Sequence, residues 1–211
     1  RIFSAENKEF GSSGIWVSDL DSDGDQDVLY TNGDAMDYLP PHPWPWHGIQ
    51  WLENQGDLKF VSHRIADFGG AVGAHPADID QDGDLDLYVV STFNAWDHPA
   101  SQSMIWLENL GKMSFLRHDI TNTPTHVQAI DLGDLDGDGW LDLYVVNDTT
   151  PNTLWRNRAG GSFEEIALYV GLDDPRGGMG IALSDVDADG DPDAVGTMAL
   201  YLNNGGSFSP A

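Results

Sequence analysis

The sequence predicts an all-β chain of four repeats, each of four strands, and three observations carry that prediction. A nine-residue acidic segment recurs four times without gaps. The apolar runs flanking it are short and rich in β-branched and aromatic residues. The interval from one acidic segment to the next is the length of four strands with their turns, the size of a propeller blade.

The acidic segments are Asp19–Asp27 (DLDSDGDQD), Asp78–Asp86 (DIDQDGDLD), Asp134–Asp142 (DLDGDGWLD) and Asp185–Asp193 (DVDADGDPD), whose first residues are 59, 56 and 51 apart. Before them run GIWVS, VQAIDLG and GIALS; after them run DVLYT, LDLYVVS, LDLYVVN and DAVGTM. These read as a first and a second strand joined by the acidic loop. A third strand ends in Asn and a glycine turn (IQWLENQGD, MIWLENLGK, TLWRNRAGG, ALYLNNGGS), and Phe60, Phe115, Phe163 and Phe208 open the fourth. The expected architecture is one β-propeller domain over residues 1–211, with repeats at about 11–67, 68–122, 123–174 and 175–211. The fourth strand of the last repeat looks nearly missing, and residues 1–10 could complete that blade. A closed small ring and part of a larger propeller both remain open.

Composition narrows the function. The 211 residues carry a formal charge of −26, from 35 acids against 9 bases. Such a chain repels phosphate backbones and anionic membranes, so neither nucleic acid nor membrane insertion is expected. No run of apolar residues is long enough for a spanning helix, and residues 1–4 have no signal-peptide pattern. Cysteine is absent, which excludes disulfides and thiol chemistry.

The acidic loops have the chemistry of calcium sites. Calcium takes six to eight oxygens, so a loop must curl to turn alternate side chains inward. Positions 1, 3, 5 and 9 are Asp in every copy: Asp19, Asp21, Asp23 and Asp27; Asp78, Asp80, Asp82 and Asp86; Asp134, Asp136, Asp138 and Asp142; Asp185, Asp187, Asp189 and Asp193. Position 7 is Asp25, Asp84, Trp140 or Asp191; the Trp fits a ligand given by the backbone carbonyl. Position 6 is always Gly, where a tight reversal penalises a Cβ. Position 2 is Leu20, Ile79, Leu135 or Val186 and is expected to anchor the loop in the core. An EF-hand is excluded, since position 12 is Tyr30, Val89, Val145 or Gly196 instead of an acid. The loops hold 19 of the 35 acids. Crowded so closely, these carboxylates repel one another unless a cation sits among them. About four Ca²⁺, one per repeat, are expected. Weak calcium sites fill where free calcium is near 10⁻³ M, so extracellular, periplasmic or cell-surface placement follows.

On these loops the chain resembles the FG-GAP/VCBS repeat family, which includes the N-terminal propellers of integrin α subunits. Phe10-Gly11 and Phe68-Gly69 resemble its FG element, and Gly73-Ala74-His75-Pro76 resembles its GAP element with a His inserted. Repeat three lacks both, and repeat four offers only Gly177-Gly178-Met179-Gly180. The resemblance implies metal loops on one face and ligands on the other face or between blades.

The connections between second and third strands are long in the first two repeats, at residues 31–50 and 91–104. Trp44, Trp46, Tyr38 and Trp96 offer flat surfaces; His42, His47, Asp34, Asp37, Asn94, Asp97 and His98 offer hydrogen bonds. This combination suits a sugar or a peptide, and equally a packing lid held extended by its prolines. Trp16, Trp51, Trp106 and Trp155 are expected in the core or between blades. Asn147-Asp148-Thr149 matches a glycosylation acceptor. The reading is a calcium-binding recognition or adhesion module with a carbohydrate or protein ligand, and with self-association or a partner chain left open. Its alternatives are a lyase-like polysaccharide enzyme and a structural subunit.

Overall fold

The computed structural model describes residues 11–35, 40, 42–197 and 199–211. The described residues form four separate four-stranded antiparallel sheets, and in each one sequence neighbours are sheet neighbours. Blade 1 is β1 (Ile15–Ser18), β2 (Asp27–Thr31), β3 (Gly48–Asn54) and β4 (Phe60–Asp67). Blade 2 is β5 (Ala71–Ala77), β6 (Asp86–Ser91), β7 (Met104–Asn109) and β8 (Phe115–Thr121). Blade 3 is β9 (Val127–Gly133), β10 (Asp142–Asn147), β11 (Thr153–Asn157) and β12 (Phe163–Glu165), followed by one helical turn, α1 (Ala167–Val170). Blade 4 is β13 (Ile181–Ser184), β14 (Asp193–Gly196), β15 (Leu200–Asn203) and β16 (Phe208–Pro210). The fold is an all-β assembly of propeller blades, as the repeat predicts.

The last blade differs from expectation in one respect. Its fourth strand is made by Phe208–Pro210, which pairs with β15 from Asn203↔Phe208 to Tyr201↔Pro210. Residues 1–10, offered above as a completing strand, lie outside the described residues, as does Phe10 of the first FG element.

The chain divides into two compact units, one of residues up to Asp78 with Asp82–Thr125, the other of Ile79–Gln81 with His126–Ala211. In the first, Leu29, Ile49 and Trp51 of blade 1 share a core with Leu87, Val89, Ile105 and Leu107 of blade 2. All six residues of β6 and of β10 are buried, whereas β14 of blade 4 leaves Val195 exposed. In the second unit Leu135, Tyr144, Val146 and Leu154 pack with Ala167, Leu172, Ala194 and Tyr201. α1 ends at Gly171, which takes the left-handed conformation (φ 88°) as a helix terminator.

One expected core position is exposed. Leu20, Ile79 and Leu135 are buried, but Val186, at the same place in the fourth loop, is 52% exposed. Within the second unit, Asn157 of blade 3 reaches the Ile79 carbonyl and Asn203 of blade 4 reaches the Leu135 carbonyl. Ile79 and Leu135 are thus each held by an asparagine of another blade, and no such bond to Val186 is found among the described residues. Trp51 and Trp106 are buried, Trp155 is half-buried, and Trp16, 40% exposed, packs between blades 1 and 2, its ring 4.6 Å from that of His75 on β5. Asn147 is fully buried, and its amide donates to the Pro151 carbonyl (2.8 Å), so it cannot serve as a glycan acceptor.

Candidate functional site

The four acidic loops fold alike. Position 6 takes φ between +91° and +103° in all four (Gly24, Gly83, Gly139, Gly190), with no atom near where a Cβ would stand, so backbone conformation alone selects glycine there. Position 4 is left-handed too, and there Ser22, Gln81 and Ala188 adopt it without being glycine. That strain, about 1–2 kcal/mol per residue, is offset by hydrogen bonds curling the loop around its own carboxylates. The position-6 amide donates to the position-1 carboxylate: Gly24 to Asp19 (3.0 Å), Gly83 to Asp78 (3.2 Å), Gly139 to Asp134 (2.9 Å), Gly190 to Asp185 (3.1 Å). The position-7 amide donates to position 5: Asp25 to Asp23 (2.8 Å), Asp84 to Asp82 (2.9 Å), Trp140 to Asp138 (3.0 Å), Asp191 to Asp189 (3.0 Å).

Positions 1, 3 and 9 converge. One carboxylate oxygen from each of Asp19, Asp21 and Asp27 lies within 4.8 Å of the others, and Asp78, Asp80 and Asp86, Asp134, Asp136 and Asp142, and Asp185, Asp187 and Asp193 repeat the arrangement. Position 5 (Asp23, Asp82, Asp138, Asp189) and position 7 (Asp25, Asp84, Trp140, Asp191) stand outside these triads. Position 9 is a buried hinge as well. Asp27 accepts from the amides of Leu20 (3.1 Å) and Asn54 (2.8 Å), Asp142 from Leu135 (3.0 Å) and Asn157 (3.0 Å), and Asp193 from Val186 (2.8 Å) and Asn203 (2.7 Å).

The asparagine closing each third strand ties the blade to its loop. Its amide nitrogen serves the position-9 Asp, and its side-chain oxygen accepts from the turn glycine: Gly56 to Asn54 (3.1 Å), Gly111 to Asn109 (3.1 Å), Gly161 to Asn157 (3.3 Å), Gly206 to Asn203 (2.9 Å). Sequence reading marks this Asn as a strand end and misses its role. Its recurrence beside the loop in all four repeats was the available signal.

The triads fit a hard dication. All their donors are oxygen, and Asp78 Oδ1 and Asp134 Oδ1 are buried with no hydrogen-bond partner. Burial, then the neighbouring Asp27 and Asp23 charges, raise the Asp21 carboxyl; burial and Asp138 raise Asp136; partial desolvation and Asp189 raise the more exposed Asp187. Burial pushes Asp142 up to about 7, whereas hydrogen bonds from Asn203 and Val186 hold Asp193 below the usual range. The fourth loop is the more open one: Asp185 and Asp187 are exposed where Asp134 and Asp136 are half-buried.

The long connections of the first unit leave the opposite end of their blades, since consecutive antiparallel strands alternate direction. Trp44 and Trp46 stack at 4.8 Å and 9°, and His42 tilts against Trp44 at 4.5 Å; all three are half-buried, as is Trp96, while His98 is exposed. His47 is placed inside, 1% exposed, its Nδ1 accepting from the amides of Trp44 (3.3 Å) and Gly70 (3.2 Å). Burial lowers its imidazole to about 4, so it is neutral and a surface ligand does not reach it. Arg64 straps the same loop by donating to the carbonyls of Trp46 (3.0 Å) and His47 (2.9 Å). Asp37 and Tyr38 lie outside the described residues.

Sequence reading missed a cleft in the second unit, with a volume of about 20 Å³, room for a single water. Tyr144, Asn152, Asp174, Arg176, Thr197 and Tyr201 line it. Arg176 Nε donates to Asp174 (2.8 Å), and the Tyr201 hydroxyl donates to Asp174 Oδ2 (2.7 Å). These bonds, that of Arg176 foremost, hold Asp174 at about 2. The DPRGG run at 174–178 was the only signal, and it does not recur.

Fold and loops together define a propeller-blade protein with an acidic oxygen triad at the root of each blade. The model of the FG-GAP-like repeat matches residues 19–89, 93–145 and 134–196, and the chain belongs to that family. It is 22% identical to human (Homo sapiens) cartilage acidic protein 1 over 219 residues, covering 95% of this chain and 33% of the relative. The Xenopus tropicalis protein of the same name is 22% identical over 207 residues, covering 92% and 32%. The chain therefore spans about a third of the length of these relatives. Among solved structures it is similar to an Agrocybe aegerita lectin described as recognising non-reducing terminal N-acetylglucosamine, with TM-score 0.59 and 19% identity over 92% of this chain and 50% of that one.

Proposed function

We propose that this chain is a calcium-stiffened recognition or adhesion module of an extracellular or cell-surface protein, taking a carbohydrate or protein ligand. The observation that carries the reading is the fourfold convergence of loop carboxylates, with buried Asp78 and Asp134 oxygens that no protein group satisfies. Positions 1, 3 and 9 would hold Ca²⁺, with positions 5 and 7 completing the oxygen set. The ion supplies charge neutralisation. The chain supplies the rest: the asparagine hub and position-9 carboxylate fix each hairpin to its sheet. The relatives' name, with its reference to cartilage, supports extracellular placement, and the lectin neighbour supports carbohydrate among the ligand classes. The stacked Trp44 and Trp46 with His42, and separately Trp96 and His98, would offer the aromatic and polar groups for such a ligand.

Thermal unfolding in about 1 mM calcium and in excess chelator tests the metal. A weak site held at about ten times its Kd contributes about 1.4 kcal/mol, and four such sites together should move Tm by at least about 10 °C. An unchanged Tm contradicts the reading. Binding of N-acetylglucosamine-terminated glycans and matrix proteins to the immobilised chain, lost in chelator, tests the ligand. Cleavage of an acidic polysaccharide in the same assay would replace recognition with catalysis.

A further inference from the structure

We infer that the four loops are not equivalent: the third carries its own cation, Arg156, and binds calcium most weakly. This rests on the calcium reading above. The residue just before the hub asparagine is Glu53 in blade 1, Glu108 in blade 2, Arg156 in blade 3 and Leu202 in blade 4. In blade 1, Glu53 adds a like charge that contributes to raising Asp21. In blade 3 the Arg156 guanidinium forms an ion pair with Asp136 Oδ2, the position-3 carboxylate, and lies 3.8 Å from Asp138 Oδ2 at position 5. The arginine side chain is 28% exposed and that of Asp136 14%, so solvent screens this charge little.

The loop itself departs in the same direction. Trp140 stands where the other three have Asp, leaving four aspartates where they have five. Both differences remove negative charge from the same corner, and a calcium site's affinity follows its ligand charge. For the Asp134, Asp136 and Asp142 triad to hold a dication, the guanidinium has to leave Asp136 or stay and repel it. The charge of the third hairpin is thereby partly offset from within, and its fold depends less on calcium than the others do.

Native mass spectrometry and calorimetric calcium titration of the whole chain test this. Three ions are expected to bind tightly and a fourth at least about tenfold more weakly. Asp134→Asn with Asp136→Asn should leave the tight count at three, whereas Asp19→Asn with Asp21→Asn should lower it by one. Arg156→Leu, the residue of blade 4, should bring the fourth ion into the tight class; if it does not fold, Arg156→Gln is measured in its place. Four ions of equal affinity, or a tight ion lost with the third-loop pair, would overturn the inference while leaving the calcium reading intact. No bound ion at all would overturn both.

Discussion

Blades 1 and 3 are built on the same backbone plan and differ in what surrounds it. In both, a position-9 aspartate takes one amide from its own loop and one from the hub asparagine, Asp27 from Leu20 and Asn54, Asp142 from Leu135 and Asn157. Yet Glu53 stands beside the first loop and Arg156 reaches into the third. At their other ends, blade 1 fastens its long connection with a neutral buried His47, and blade 3 is followed by an Asp174–Arg176 ion pair. The repeated residues set the scaffold; the unrepeated ones set its charge.

That division can be broken at several points. If position 9 is scaffold, Asp27→Ala and Asp142→Ala should each cost about 4 kcal/mol in chelator, since each strands two amides shielded from solvent in whole or in part. In calcium the Asp27 variant should become the costlier, and equal losses in urea titrations would erase the distinction between the loops.

Acidification should separate the other ends. His47 titrates near 4 when folded, below the free imidazole at about 6.5, so the unfolded chain takes up the proton first. Its contribution is full above about pH 6.5 and declines towards pH 4, by up to about 3 kcal/mol. Asp174 is held at about 2 against 3.8 when free, so its contribution is full above the free value and lost only as pH falls through about 2. Hydrogen exchange should therefore quicken at the Gly70 amide near pH 5 while the Arg176 amide, bonded to Asp174 at 3.0 Å, stays protected.

Smaller effects sharpen the picture. Asn157→Ala, which loses the bond to the Ile79 carbonyl, should cost about 2 kcal/mol by denaturant unfolding, more than Asn54→Ala, whose side chain donates within its own blade to Gln26. Val186→Ala should change stability by less than about 0.5 kcal/mol because the side chain is exposed.

The parts legible in the sequence were those that recur. Phe60, Phe115, Phe163 and Phe208 open the fourth strands as expected, and the four loops lie between first and second strands, because period-2 patterning and fixed turn residues repeat in phase. Single residues whose role depends on a tertiary neighbour were opaque. Arg156 reads as an ordinary strand residue until its side chain is seen against Asp136. His47 sits in a polar, aromatic run that could face solvent, and only the Gly70 amide beyond the fourth strand shows why it turns inward. Val186 matches Leu20 in pattern, but Leu20 is buried by strand residues packed around it and not by the loop.

What occupies the carboxylate triads decides whether these loops are calcium sites. An anomalous-difference map from crystals grown in saturating calcium should place a peak within coordination distance, about 2.3–2.6 Å, of Asp19, Asp21 and Asp27, with matching peaks in the second and fourth loops. Triads that hold only water or a monovalent ion under those conditions would contradict it.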